Sequence, residues 1–278
     1  MQKTAPAPAP TDVDDRRRRI EEDLARRGSV LVAFSGGVDS ALVAALAVRS
    51  GARTLAVTAA AETLAGRELD HARAAADEID VEHRIVTYSE LDNPEFVRNP
   101  ASRCYHCQGM RMDTMLVLAD ELGYAVVCDG TNASDPGPDR PGLEAIRERS
   151  VLSPLLSHDV DKASARDMAR ALGLSVWDRP SNACLSSRIP HGQIVTLGKL
   201  KRVEAAEDLL AERGYAVFRV RHDGQRARVE VGVDEVERLR REWPEIESAL
   251  RSLGFDEAAL DPRGYVYGGA DRIPGHGA

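Results

Sequence analysis

The sequence predicts an α/β fold: a doubly wound parallel sheet with a smaller α+β C-terminal domain. Three observations carry this. Short apolar runs bounded by glycine alternate with helical stretches between residues 30 and 128, the pitch of strand–helix–strand units. Val30 to Phe34 is apolar throughout, as a strand buried on both faces of a parallel sheet must be. Beyond Pro180 the pattern changes to one long helix and two alternating strands joined by His222-Asp-Gly-Gln225, a hairpin signal. Residues 1–13 are expected as a disordered tail, 14–180 and 181–264 as two domains, and 265–278 as a C-terminal tail.

In order, Met1 to about Thr11 is rich in Pro and Ala and lacks the apolar content to fold. Asp14 to Arg27 is a charged helix with Ile20 and Leu24 as its apolar marks. The first strand is followed by Ser35-Gly-Gly-Val-Asp-Ser40 and a helix that Gly51 ends. Strands are expected at Arg53–Thr58, Glu82–Tyr88 and Tyr124–Cys128, and helices at Gly66–Ile79 and Gln108–Leu122. Segment 129–142, dense in Gly, Pro, Asp and Asn, reads as a loop. Asp161 caps a helix to Leu172, Thr196 starts another to Arg213, and strands follow at Tyr215–Arg221 and Arg226–Val231. Helices around Asp234–Glu242 and Pro244–Leu253 complete the chain.

Composition narrows the function classes. Of 278 residues, 43% are hydrophobic and 29% charged, which describes a soluble globular protein. No apolar run reaches spanning length and no signal-peptide core is present, so the cytoplasm is expected and a membrane partner is not. Four unevenly spaced cysteines do not form a disulfide framework. A net charge of −8 argues against a nucleic-acid partner.

The chemistry gathers at two places. In the first, strand, glycine turn and helix N-terminus make an anion cradle of amides and dipole, to which Ser35 and Ser40 add hydroxyls. Gly36 and Gly37 let the backbone approach a ligand, and Asp39 can hold a metal ion or order the turn. It is neither the Walker loop nor the dinucleotide-binding turn. It matches the pyrophosphate loop of enzymes that split ATP between the α and β phosphates. Asp129, Gly130 and Asn132 directly follow the fourth strand, so they share the ligand-binding edge of the sheet. Lys162, in the first turn of its helix, is electrostatically out of place. A phosphate partner or a solvated side chain would each account for it.

In the second, Ser181 to Gly192 bears one thiol, two hydroxyls and an arginine. Cys184 reads either as a small buried hydrophobe or as a nucleophile near arginine. Alternation puts Arg219, Arg221, Arg226 and Arg228 on one face of the hairpin, a face for an anion or for solvent.

From about Asp14 to Gly264 the chain resembles the LarE family, the ATP-dependent sacrificial sulfur transferases of the pyrophosphate-loop superfamily. Five stretches carry the resemblance: Phe34-Ser-Gly-Gly-Val-Asp-Ser40, Arg103-Cys-Tyr-His-Cys107, Asp129-Gly-Thr-Asn132, Pro180-Ser-Asn-Ala-Cys-Leu-Ser-Ser-Arg188 and Arg219-Val-Arg-His222. The fourth is the specific one. Gln108, where lysine is expected, and the segment Gly264–Gly268 depart from the pattern. The resemblance implies an adenine nucleotide alpha hydrolase-like sheet that binds ATP and Mg2+. It implies that 14–180 is the ATP-binding domain and 181–264 the sulfur-transfer domain. It further implies adenylation of a carboxylate on a pyridinium dicarboxylate mononucleotide and attack by Cys184. Cys184 then gives up its own sulfur, in biosynthesis of the nickel-pincer cofactor of lactate racemase. Arg188, Arg219 and Arg221 are the expected hold on the substrate phosphate, and a homo-oligomer is expected.

Two other functions fit the loop: a tRNA thiolase or amide-forming synthetase, and a non-catalytic adenine-nucleotide-binding protein. Net acidity and the lack of a recognisable RNA-binding module or glutaminase segment weigh against the first, and the second needs no Cys184. Cys104 and Cys107 are read as structural. The family's cluster-bearing relatives need further cysteines beyond Cys184, where this sequence has none. Glu207, Glu230 and Asp234 are noted as carboxylates for a further metal.

Overall fold

The computed structural model describes residues 12–135, 140–180 and 183–265. The two expected tails, apart from Asp12, Val13 and Tyr265, lie outside them, as do Ser181 and Asn182. The chain forms two compact units, one of Met1–Ala60, Gly66–Tyr88 and Cys107–Ser181, the other of Ala61–Ala65, Ser89–His106 and Asn182–Ala278.

In the first unit, β1 (Ser29–Ala33), β2 (Arg53–Ala60), β3 (Glu82–Thr87) and β4 (Val126–Cys128) form a parallel sheet in the order β3-β2-β1-β4. β1 is central, with Leu31 opposite both Leu55 and Val127. Its period of two divides the core. Val30 and Val32 face helices Asp12–Arg27, Val38–Arg49 and Lys162–Ala171 through Leu24, Leu42 and Met168. Leu31, with Leu55 and Val57, meets Met112, Met115 and Ile146 on the other side. A strand sealed on both faces explains the unbroken apolar run.

In the second unit β5 (Phe218–Asp223) pairs antiparallel with β6 (Arg226–Val231), and β7 (Glu257–Leu260) adds to β6 in parallel. One face, with Val220, Val229 and Val231, packs on Leu210, Leu239, Ile246 and Leu250 of helices Leu197–Glu212 and Val236–Ser252. The other carries Arg219, Arg221, Arg228 and Glu230, and all four are buried.

Several boundaries differ from expectation for identifiable reasons. The helix expected at Gln108–Leu122 is Arg103–Leu122, because a polar first turn leaves no apolar period to read. The two helices expected about Pro244 are one, Val236–Ser252. Val236, Leu239, Ile246 and Leu250 keep one buried face, and that packing outweighs the bond the proline removes. Strand β7, rich in alanine, and helix Pro141–Glu148 were not expected.

Candidate active site

The loop after β1 is built by close backbone contact. Gly36 has φ of 68°, and a β-carbon there would come within 2.5 Å of the Ala72 Cα. Only glycine satisfies both demands. Gly37 is the N-cap residue of helix Val38–Arg49 and offers no side-chain cap, so the first-turn amides and the dipole face outward from the turn. Ser40 Oγ accepts from the Ser35 amide (3.1 Å), donates to the Gly37 carbonyl (3.2 Å) and lies 3.1 Å from Ser35 Oγ. Gly130 lies against the same turn: a β-carbon on it would reach within 2.8 Å of the Ser40 nitrogen.

Charge is gathered beside the loop. Lys162 Nζ donates to Asp39 Oδ2 at 2.5 Å, and Asn132 Nδ2 to Asp39 Oδ1 at 3.3 Å. Lys162 therefore pairs with the loop carboxylate rather than standing in solvent. Its helix is capped by Asp161, which accepts from the Ser164 amide. Asp129 is buried, burial pushes its carboxyl above the usual range, and the Thr131 hydroxyl donates to it at 2.5 Å. Arg179, which sequence order does not connect with the loop, donates to Glu68 Oε2 (2.9 Å) and to the Gly36 carbonyl (3.5 Å). It also meets His71 Nδ1. Burial and then Arg179 lower the His71 pKa, which favours the neutral ring.

The second unit holds the thiol. Cys184 is half-buried at the head of the 3-10 turn Leu185–Arg188. Arg188 is buried, forms a forked pair with Glu207 (2.8 and 2.9 Å), and donates to the carbonyls of Ala183 and Cys184. Glu207 also accepts from the Val220 amide, which ties Arg188 to β5 between Arg219 and Arg221. Arg221 binds Glu230 at 2.9 Å and donates to the Ser187 carbonyl. Arg219 lies over the Tyr265 ring at 4.9 Å, and burial followed by Arg188 lowers its pKa. The structure thus brings Arg188, Arg219 and Arg221 together with the Cys184 turn. On the ribbon face Arg219, Arg221, Arg228 and Glu230 are buried rather than solvated, and Arg226 alone of the four expected arginines is exposed. Glu207 and Glu230 are engaged by guanidinium, and among the described residues no three His, Cys, Asp or Glu side chains assemble for a metal. Of the remaining cysteines, Cys104 is exposed and Cys107 and Cys128 are buried, burial pushing the Cys128 thiol up to about 12.

Similarity to known proteins covers most of the chain. The asparagine synthase family profile matches residues 17–118, the part that contains the loop. A protein of Synechocystis is 39% identical over 87% of this chain and 92% of its own length. The pyridinium-3,5-bisthiocarboxylic acid mononucleotide synthase of Lactiplantibacillus plantarum is 32% identical over 89% of each chain. The chain belongs to the LarE family. Members of this family are ATP-dependent sulfur-transferring enzymes of the pyrophosphate-loop superfamily, and the resemblance read from five short stretches extends to almost the whole chain. The tRNA-specific 2-thiouridylase of Rhizorhabdus wittichii is 29% identical over 73% of this chain and 65% of its own. Among the described residues, no helix is long and apolar enough to cross a membrane.

Sequence reading missed Arg179, Glu68 and His71 about the loop, and Asn99, Arg103 and Ser186 about the thiol turn. For Arg103 and Ser186 a signal existed, since both lie inside motif stretches. For Arg179 only its position before Pro180 hinted at a role.

Proposed function

We propose that this protein adenylates a carboxylate of a pyridinium dicarboxylate mononucleotide and converts it to a thiocarboxylate with the sulfur of Cys184. The observation that carries this reading is the similarity to the Lactiplantibacillus plantarum synthase over 89% of each chain. The site's chemistry supports it. The Ser35–Ser40 amides and Lys162 suit the phosphates of ATP, while Asp129, Gly130 and Asn132 shape the adjoining edge. One carboxylate, Asp39, next to phosphate oxygens fits the way magnesium is commonly held, and the ion would neutralise phosphate charge there.

The substrate carboxylate oxygen attacks the α phosphorus and pyrophosphate leaves. The Cys184 thiolate attacks the acyl carbon and AMP leaves, giving a thioester. Loss of the Cys184 α-proton with cleavage of its Cβ–S bond then leaves dehydroalanine, and the sulfur departs on the product. Arg219 and Arg221 bind the substrate phosphate as guanidinium donors, while Arg188, expected with them but with its donors taken by Glu207 and by the Ala183 and Cys184 carbonyls, holds the turn that presents Cys184.

Turnover with ATP and the mononucleotide tests this. AMP and pyrophosphate should form, and the protein should lose the mass of one hydrogen sulfide within the peptide containing Cys184. The double variant D39A/S40A should form neither product, whereas C184A should still release pyrophosphate but deliver no sulfur. Repeated turnover with unchanged protein mass would sink the sacrificial step. Thiolation of tRNA in place of the mononucleotide would favour the thiouridylase reading that the Rhizorhabdus wittichii relative raises.

A further inference from the structure

We infer that Ser186 is the positioning residue of the Cys184 thiol, and that buried Arg103 anchors it. The inference rests on the reading of Cys184 as sulfur donor and adds the group that prepares it. Cys184 Sγ lies 3.2 Å from Ser186 Oγ, within reach of a hydrogen bond to sulfur. Ser186 is fully buried, so its hydroxyl has no water to turn to, and among the described residues the Cys184 sulfur is its partner. A buried hydroxyl costs free energy unless it is bonded, so it holds the sulfur in one rotamer.

The turn that carries both residues is fixed from beneath. Arg103, 5% exposed, donates to the Ser186 carbonyl at 3.0 Å and to Asn99 Oδ1 at 2.5 Å. Asn99 is fully buried at φ of 57°, and its amide donates to the carbonyls of Ile189, Pro190 and Gln193. Arg188 holds the other end through the carbonyls of Ala183 and Cys184. The two guanidiniums differ in one respect. Arg188 is neutralised by Glu207, whereas Arg103 has no carboxylate partner among the described residues. A buried cation without a counter-ion raises the local potential.

The chemistry explains why such a frame is useful. The thiol must lose its proton before it can attack an acyl carbon, and the thiolate is the nucleophile. In the resting thiol the sulfur can donate to Ser186 Oγ. Once the sulfur proton has passed to solvent, the serine hydroxyl reverses and donates to the sulfur anion, which favours the charged form. Ser186 touches the reacting sulfur without forming or breaking a bond to it, and Arg103 acts by holding the Ser186 backbone and by its charge.

The test is alkylation of the full-length protein by iodoacetamide as a function of pH, with each cysteine followed by peptide mapping. Exposed Cys104 is the reference inside the same sample, and buried Cys128 reports unfolding. In S186A the reaction of Cys184 at neutral pH should slow about threefold, the loss of one weak hydrogen bond to the sulfur, with Cys104 unchanged. Pyrophosphate release should persist in S186A while sulfur delivery falls. A second variant keeps a hydroxyl at the position: S186T should restore the wild-type reaction of Cys184. That variant decides if S186A exposes Cys128. A wild-type profile in folded S186A, or a slowed Cys184 in folded S186T, would overturn the inference. If wild-type turnover left the Cys184 sulfur in place, the donor reading would fall, while the alkylation profiles would still decide the role of Ser186.

Discussion

His222 shows how one side chain sets the acid limit of its unit. It is fully buried against Phe255, and neither ring nitrogen has a hydrogen-bond partner among the described residues. Burial first, then Arg202 and Lys199, push its pKa down from 6.5 to about 4, with Asp223 opposing them. Between those values the unfolded chain binds a proton that the folded chain refuses. Stability from this group is therefore complete above pH 6.5 and is lost as pH falls toward 4, on the order of 3 kcal/mol in total. H222F should flatten the slope of urea stability against pH in that window. An unchanged slope would show that other groups carry it. Residue-scale legibility followed local chemistry. The Ser35–Ser40 loop could be read because its function lies in consecutive residues. Arg179 could not, since its contact with Gly36 spans 143 positions that only the fold closes.

At the scale of elements, the hairpin was legible in its alternation but not in its burial. Register sets Arg219 opposite Glu230 and Arg221 opposite Arg228, so two like charges face each other directly. Glu230 resolves this by accepting from both Arg221 (2.9 Å) and Arg228 (2.6 Å), and Asp261, past the end of β7, takes Arg228 again at 3.0 Å. The residue that follows the third strand, itself weak in sequence, supplies the acid that completes the network. Removing Glu230 leaves Arg221 with a backbone carbonyl and Arg228 with Asp261 and Asp223. E230A should therefore cost about 3–5 kcal/mol in urea unfolding, as breaking buried pairs does. R226A, an exposed position on the same face, should stay within about 0.5 kcal/mol. Equal effects for the two variants would mean that the buried network is not what stabilises the ribbon.

At the scale of the molecule, the loop belongs to one unit and Cys184 to the other, although linear order places a single boundary near residue 180. Segments 61–65 and 89–106 join the second unit, an interleaving that no local pattern in the sequence reveals. Each unit has a core of its own and one of the chain's two tryptophans, Trp177 against the first core and Trp243 against the second. This allows each to be followed separately. In W243F the remaining Trp177 should report a urea midpoint that rises with ATP, by about 2.7 kcal/mol at a hundred times Kd, because the ligand binds only the folded loop. In W177F, Trp243 should report a midpoint that falls between pH 6.5 and 4 through His222, with little response to ATP. Should both tryptophans give one midpoint that moves together under ATP and under acid, the chain unfolds as a single cooperative body, and the two units are divisions of architecture rather than of stability.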